Sequence, residues 1–234
     1  MSDAESMDAI EEGNDFQMDE DEENEMKPDE DSNREVYLPG KPLAEGEELV
    51  CDQTAYVMLH QAQTGAPCLS FDIIKDNLGN NRESFPLTAY IVAGTQASQA
   101  HTNNIIVIKL FNLHATNKED DEDDDDEESD DDDDKNPKMA GAIIKHQGCV
   151  NRIRSATINN KVFAASWSEL GRVNIWDMTQ QLQTVDNELL LQRYNKENKG
   201  NNVAPLFTFS GHLQQGFAID WCATMPGKGS SLNR

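Results

Sequence analysis

The chain has 234 residues and a formal net charge of −25, from 44 acidic and 19 basic side chains. Nucleic acids are polyanions, and the sequence has no basic stripe to offset this negative balance, so direct nucleic-acid binding is not expected. No apolar run approaches the ~20 residues of a membrane span, and membrane association is not expected either.

The negative charge is concentrated in two segments. Residues 1–35 carry sixteen acidic side chains, residues 119–134 carry fifteen, and the rest of the chain has a net charge of about +4. The sequence therefore predicts a mildly basic folded body with two acidic segments. Basic proteins are the partners that such segments attract.

Cysteine and histidine usage gives no sign of a disulfide framework, a metal site or a cofactor. The four cysteines are widely spaced, without a Cys-x-x-Cys pair, and the five histidines do not cluster with them. This pattern is typical of a protein with reduced thiols in the cytosol or nucleus.

The first third of the chain is predicted to contain a disordered tail and one helix. Residues 1–35 have too few apolar side chains to repay the entropy of ordering. Residues 36–66 are predicted to be an extended segment followed by an amphipathic helix over 47–63, which Asp52 caps and Gly65 ends. Its apolar side chains recur at three- and four-residue steps. The helix either packs on its own domain or binds a partner through Tyr56 and Leu59.

Strand patterns follow, separated by turn residues. Residues 68–74, 87–95, 105–113 and 142–145 are predicted to form a four-stranded antiparallel unit. The acidic run would then connect its third and fourth strands, as a loop held at both ends.

The remaining predicted elements are strands around one long insertion. Further strands are predicted at 161–167, 172–176, 205–209 and 217–222. A Gln- and Asn-rich insertion over 178–203, with one or two helical turns, separates the second of these strands from the third, and residues 226–234 are predicted to be an unstructured tail.

One stretch resembles a WD repeat of a β-propeller: residues 171–177 read GRVNIWD, Ser166 precedes them, and Gly211-His212 follows the insertion. In such repeats a His, a Ser, an Asp and a Trp hydrogen-bond to brace each blade. His146, Ser166 and Trp176 stand at matching positions. Leu170 stands where the Asp is expected, so the resemblance implies an incomplete network.

A wider set of segments resembles the glutamate-rich WD-repeat proteins, relatives of the retinoblastoma-binding histone chaperones that act in ribosome assembly. The set comprises Leu38-Pro39-Gly40, residues 52–60 (DQTAYVMLH), residues 67–72 (PCLSFD), Ala93-Gly94-Thr95-Gln96, the acidic run, and residues 146–154 (HQGCVNRIR).

This resemblance implies an all-β fold, a seven-bladed WD-repeat propeller that begins near residue 67 and is preceded by one helix against its edge. It also implies a nuclear and nucleolar location and binding to histones and a large-subunit ribosomal protein in pre-ribosomal complexes. Because a blade takes ~40–45 residues, only about the first two blades are expected within 67–225. The chain is therefore expected to be an amino-terminal fragment or a truncated isoform.

The acidic run is the first candidate for a partner-binding site, and its alternative role is only to keep the protein soluble. Ser129, followed by three aspartates, is a candidate phosphorylation site. The candidate binding residues are Glu119, Asp120, Asp121, Glu122, Asp123, Asp124, Asp125, Asp126, Glu127, Glu128, Asp130, Asp131, Asp132, Asp133 and Asp134.

No catalytic residues are predicted, because the sequence has no nucleophile elbow, phosphate loop or His–carboxylate metal spacing. The favoured hypothesis is a non-enzymatic chaperone and ribosome-assembly factor. The alternatives are a general WD-repeat scaffold and a substrate receptor of a ubiquitin ligase. Receptors of that kind often carry Trp-Asp-x-Arg, and this chain has Thr179 at the last position.

Overall fold

The computed structural model describes residues 37–44, 46–51, 55–116, 135–222 and 224, and the backbone of 229–232. The predictions for residues 1–35 and for 119–134, including Ser129, lie outside the described residues. The described chain is built mainly from two antiparallel four-stranded sheets. This confirms the β-sheet character expected of WD-repeat blades, while the number of seven blades stays a prediction.

The first sheet contains strands β1 (Cys68–Ile74), β2 (Leu87–Thr95), β3 (Asn104–Leu113) and β4 (Lys138–Lys145), in that order. All neighbours are antiparallel, which confirms the predicted four-stranded unit. β4 begins four residues before its predicted start, because Lys138 already pairs with Phe111.

The second sheet contains β5 (Val150–Ile158), β6 (Lys161–Ser168), β7 (Val173–Asp177) and β8 (Phe207–Phe209), again in chain order. β5 was not predicted as a strand, because Asn151, Arg152 and Arg154 interrupt its apolar pattern.

A third, two-stranded sheet pairs β9 (Ala218–Trp221) with β10 (Gly229–Leu232). The prediction of an unstructured tail over 226–234 is therefore wrong for residues 229–232.

Two helices lie in the connection between β7 and β8: α1 (Thr179–Val185) and α2 (Glu188–Lys196). They contain more helix than the one or two turns predicted there. The Asn187 side chain caps α2 by accepting a hydrogen bond from the backbone N–H of Leu190 at 3.1 Å. No helix in the described residues is both long and apolar enough to span a bilayer.

The main core lies between the two four-stranded sheets. Apolar side chains of β2, β3 and β4 pack there against Val150, Ile153 and Trp176 of the second sheet. Gly94 permits this approach, because a side-chain carbon at Gly94 would overlap Val150. The backbone N–H of Ser155 also donates to the Asp72 carboxylate at 2.8 Å. The two sheets therefore form one packed body.

The predicted helix over 47–63 is wrong for the described residues of that range, 47–51 and 55–63, which contain no α-helix. Its backbone finds partners elsewhere: the carbonyl of Val57 accepts from the N–H of Thr116 at 3.0 Å. Bonds to a distant segment replace those that a helix would have formed within itself. The proposed cap, Asp52, lies outside the described residues.

Candidate partner-binding site

The acidic run is attached to the first sheet at both ends. The pairs Leu110–Met139 and Phe111–Lys138 continue the ladder between β3 and β4 to the last residue before the connection. Beyond them the Asn112 side chain donates to the carbonyl of Asn136 at 2.8 Å. Asn112 has a φ of 59°, a left-handed conformation that asparagine tolerates well. The run thus starts and ends at neighbouring points on one sheet edge.

The segment that carries Tyr56 and Leu59 lies beside the chain that enters the run. The backbone N–H of Leu59 donates to Thr116 Oγ1 at 3.0 Å, and His60 Nε2 donates to the carbonyl of His114 at 2.9 Å. The structure therefore brings together two groups of predicted site residues, the pair Tyr56 and Leu59 and the first end of the run.

Tyr56 is the more accessible of the two. Its exposure is 48%, and the neighbouring Val57 is 62% exposed, whereas Leu59 is half-buried. Other exposed large apolar side chains of this amino-terminal segment are Tyr37, Leu38, Leu43, Leu49 and Val50. An apolar surface thus lies next to the entrance of the acidic run.

Sequence reasoning missed His60, His114 and Thr116, which hold this arrangement together. Each of these contacts joins residues more than fifty positions apart. Local periodicity carries no information on such pairs, and the only sequence signal was that 52–60 belongs to the set of segments that resembles the WD-repeat proteins.

The bracing network of the second sheet is present and buried. Ser166 Oγ accepts from Trp176 Nε1 at 2.9 Å and donates to His146 Nε2 at 3.1 Å. His146 Nδ1 donates to the carbonyl of Gly148 at 2.9 Å. The backbone carbonyl thus supplies the acceptor that an Asp at position 170 would have supplied, which corrects the expectation of an incomplete network.

The environment of His146 keeps its ring neutral. Its side chain is 1% exposed, and burial lowers its pKa below the usual value for histidine. A neutral ring is required, because Nε2 must accept the Ser166 proton while Nδ1 donates. The network is a structural element of the blade.

The connection that contains α1 and α2 packs on the first sheet. Asp186 accepts from Lys109 Nζ at 2.9 Å and from the Tyr90 hydroxyl at 2.6 Å. The Tyr194 hydroxyl donates to the carbonyl of Ile143 on β4 at 2.8 Å. Burial and the contact with Asp186 raise the pKa of Tyr90 above the usual tyrosine value. Both strands that flank the acidic run, β3 and β4, are therefore braced from the second sheet.

No metal or nucleophile site stands out in the part of the chain that the structure describes. There, no three His, Cys, Asp or Glu side chains lie close enough to hold a metal ion. The pKa of the Cys149 thiol is raised by burial and by Glu169, the opposite of what a thiolate nucleophile requires.

Comparisons with known proteins agree with the fold. Residues 46–114 match the family model of the histone-binding protein RBBP4, which is also described as a component of the CAF1 complex. This match covers the segment around Tyr56 and Leu59 and strands β1 to β3.

Three relatives match over most of the chain. "Protein HEAT STRESS TOLERANT DWD 1" of Arabidopsis thaliana is 38% identical over 215 residues, covering 82% of this chain and 44% of the relative. "Glutamate-rich WD repeat-containing protein 1" of Dictyostelium discoideum is 40% identical over 206 residues, covering 83% and 41%. "Ribosome assembly protein rrb1" of Schizosaccharomyces pombe is 36% identical over 209 residues, covering 87% and 41%.

The chain thus spans less than half the length of these relatives. The resemblance drawn from the sequence segments is confirmed at an identity of 36% to 40% with proteins whose names state glutamate-rich WD repeats and ribosome assembly. The chain is a homologue of the glutamate-rich WD-repeat and ribosome-assembly proteins.

Proposed function

We propose that this protein is a non-enzymatic ribosome-biogenesis factor and acidic chaperone of the nucleus and nucleolus. It binds basic clients, a large-subunit ribosomal protein and histones, through the acidic run at 119–134 and the adjoining propeller surface. The attachment of the run between β3 and β4 is the observation that carries this proposal.

The chemistry of the run suits a basic client. Fifteen carboxylates attract Lys and Arg side chains, raise encounter rates and lose strength as salt screens them. Sixteen residues reach at most ~55 Å when extended, enough to pass across a small client. Because both ends are fixed on a braced sheet, the charge is presented from one place on the surface. Phosphate on Ser129 would add ~1.5–2 negative charges, a small increase.

The comparisons support the two client classes. The histone-binding family model covers the segment that lies beside the entrance of the run. One relative is named for ribosome assembly. A protein that handles histones and ribosomal proteins works where both are abundant, in the nucleus and nucleolus.

The internal use of two residues favours this proposal over the ubiquitin-ligase alternative. Trp176 is committed to the buried network with Ser166. Asp177 accepts from the backbone N–H of Thr179 at 2.9 Å and so begins α1. Thr179 itself stands where an arginine would be needed.

A charge-neutralised variant tests the proposal. All fifteen carboxylates of 119–134 are replaced by Asn or Gln, which keeps the length of the connection. Affinity for histone H3–H4 and for poly-lysine should fall at least about 100-fold at low salt, as expected when a polyelectrolyte contact is removed. Both affinities are measured by fluorescence anisotropy.

The matched control neutralises fifteen of the sixteen acidic side chains in residues 1–35. It changes the net charge of the protein by the same amount at a different place. The proposal expects a loss of no more than about fivefold from this control, since the amino-terminal segment supplies only long-range attraction. Equal losses from both variants would reduce the run to a general solubilising charge.

A further inference from the structure

Helix α2 exposes two neighbouring leucines at its first turn. Leu189 is 76% and Leu190 46% exposed. The opposite side of the helix supplies Leu191 and Tyr194, which pack on the main core. The outward positions of a surface helix are usually polar, so neither leucine is needed to hold α2 in place.

These leucines have a fixed position relative to the acidic run. Asp186, three residues earlier, is held by Lys109 of β3 and Tyr90 of β2. Lys109 precedes Leu113, the last residue of β3, by four residues, or ~13 Å along a strand. The Asn187 cap fixes the turn that carries both leucines. The pair is therefore anchored next to the strand that leads into the run.

The chain length of the connection allows both features to contact one partner. Residues 114–137 join β3 to β4, and half of that length spans at most ~40 Å when extended. A partner held by the carboxylates at this sheet edge thus passes within reach of Leu189 and Leu190. Charge complementarity requires that partner to carry Lys or Arg, and the leucines require it to carry apolar side chains as well.

We propose that Leu189 and Leu190 form an apolar contact for the basic client, and that the preferred client segment is an amphipathic basic helix rather than a purely charged tail. The inference rests on the proposed function of the acidic run. The run attracts the client without reading its sequence, and the leucines select segments whose apolar side chains can cover them.

Two synthetic peptides test this preference. Both have the same length and number of lysines, but one carries leucines at helical spacing where the other carries serines. The unaltered protein should bind the leucine peptide about tenfold more tightly, the gain expected for covering two partly exposed leucines. In L189Q/L190Q this preference should fall to within about twofold, while binding of the serine peptide stays unchanged.

The matched control is L78Q/L213Q, which removes two leucines that are 57% and 98% exposed elsewhere. It should keep the tenfold preference. The inference is overturned if L189Q/L190Q keeps the preference too, or if the control loses it equally. A serine peptide that binds equally well to the charge-neutralised run would sink the proposed function while leaving the leucine contact standing, and failure of both peptides to bind overturns both.

Discussion

The two four-stranded sheets each place a long connection between their third and fourth strands, and the two connections have opposite properties. Residues 114–137 contain the acidic run, which has no apolar side chain to bury. Residues 178–206 form α1 and α2, which bury Val185 and Tyr194 against the core. The same site in a blade therefore carries either a charged surface for partners or a brace for the neighbouring sheet, and composition decides which.

This comparison predicts that changes in the two connections act on different quantities. Changes in 178–206 should lower the free energy of unfolding and leave the affinity for basic clients nearly unchanged. Changes in the acidic run should do the reverse. Each of the following substitutions tests that separation.

The largest effect on stability is expected from Gly200→Val. A side-chain carbon at Gly200 would overlap the backbone carbonyl of Ile143, so the connection must move away from β4. We expect a loss of about 3 kcal/mol, measured by chemical denaturation. Asn201→Val, at an exposed neighbouring position, should cost less than about 1 kcal/mol, and an equal cost for both would contradict the packing described.

A smaller loss is expected from Ser166→Ala, which breaks the bracing network of the second sheet. It leaves Trp176 Nε1 without its acceptor and His146 Nε2 without its donor in a buried site. Unfolding should become about 2 kcal/mol easier. Ser98→Ala, on an exposed position, is the control and should be neutral. A neutral Ser166→Ala would mean that the network adds nothing.

The same network predicts a pH dependence. Because burial lowers the pKa of His146 in the folded state, the unfolded chain binds the proton more readily. Stability should therefore be complete above the ordinary histidine pKa of ~6.5 and fall as the pH drops below it. Denaturation from pH 8 to about pH 5 should show a smaller acid loss in His146→Gln than in the unaltered protein. The same acid loss in both would exclude His146 as its source.

The smallest effect is expected from Asp186→Asn. The side chain of Asp186 is 50% exposed and that of Lys109 is 20% exposed, so solvent screens much of their attraction. We expect a loss of about 0.5 kcal/mol, which should shrink further at high salt. A larger and salt-independent loss would show that the hydrogen bond from Tyr90 dominates this contact.

The sequence was most informative where a pattern is local. The bounds of β1 and β2 were predicted correctly, because runs such as CLSFDII alternate over a full strand and end at turn residues. The loop character of the acidic run followed from its place between two predicted strands. Its chemistry needed no structure.

The errors fall where distant contacts decide the local structure. Residues 47–63 have a helical pattern, yet their backbone bonds to 114–116. The α1–α2 connection reads as polar, but Gln181 is buried and its amide donates to the Tyr194 hydroxyl at 3.2 Å. No periodicity anticipates that a Gly148 carbonyl completes the network around His146. Such partners are found only when the chain has folded.

The most direct test of the central claim is the salt dependence of client binding. Affinity for histone H3–H4 is measured from about 0.05 to 0.3 M salt for the unaltered protein and for the variant with a neutralised acidic run. We predict a steep fall with salt for the unaltered protein and a weak, nearly flat dependence for the variant, with equal unfolding free energies. Equal slopes in the two proteins would contradict a client site at residues 119–134.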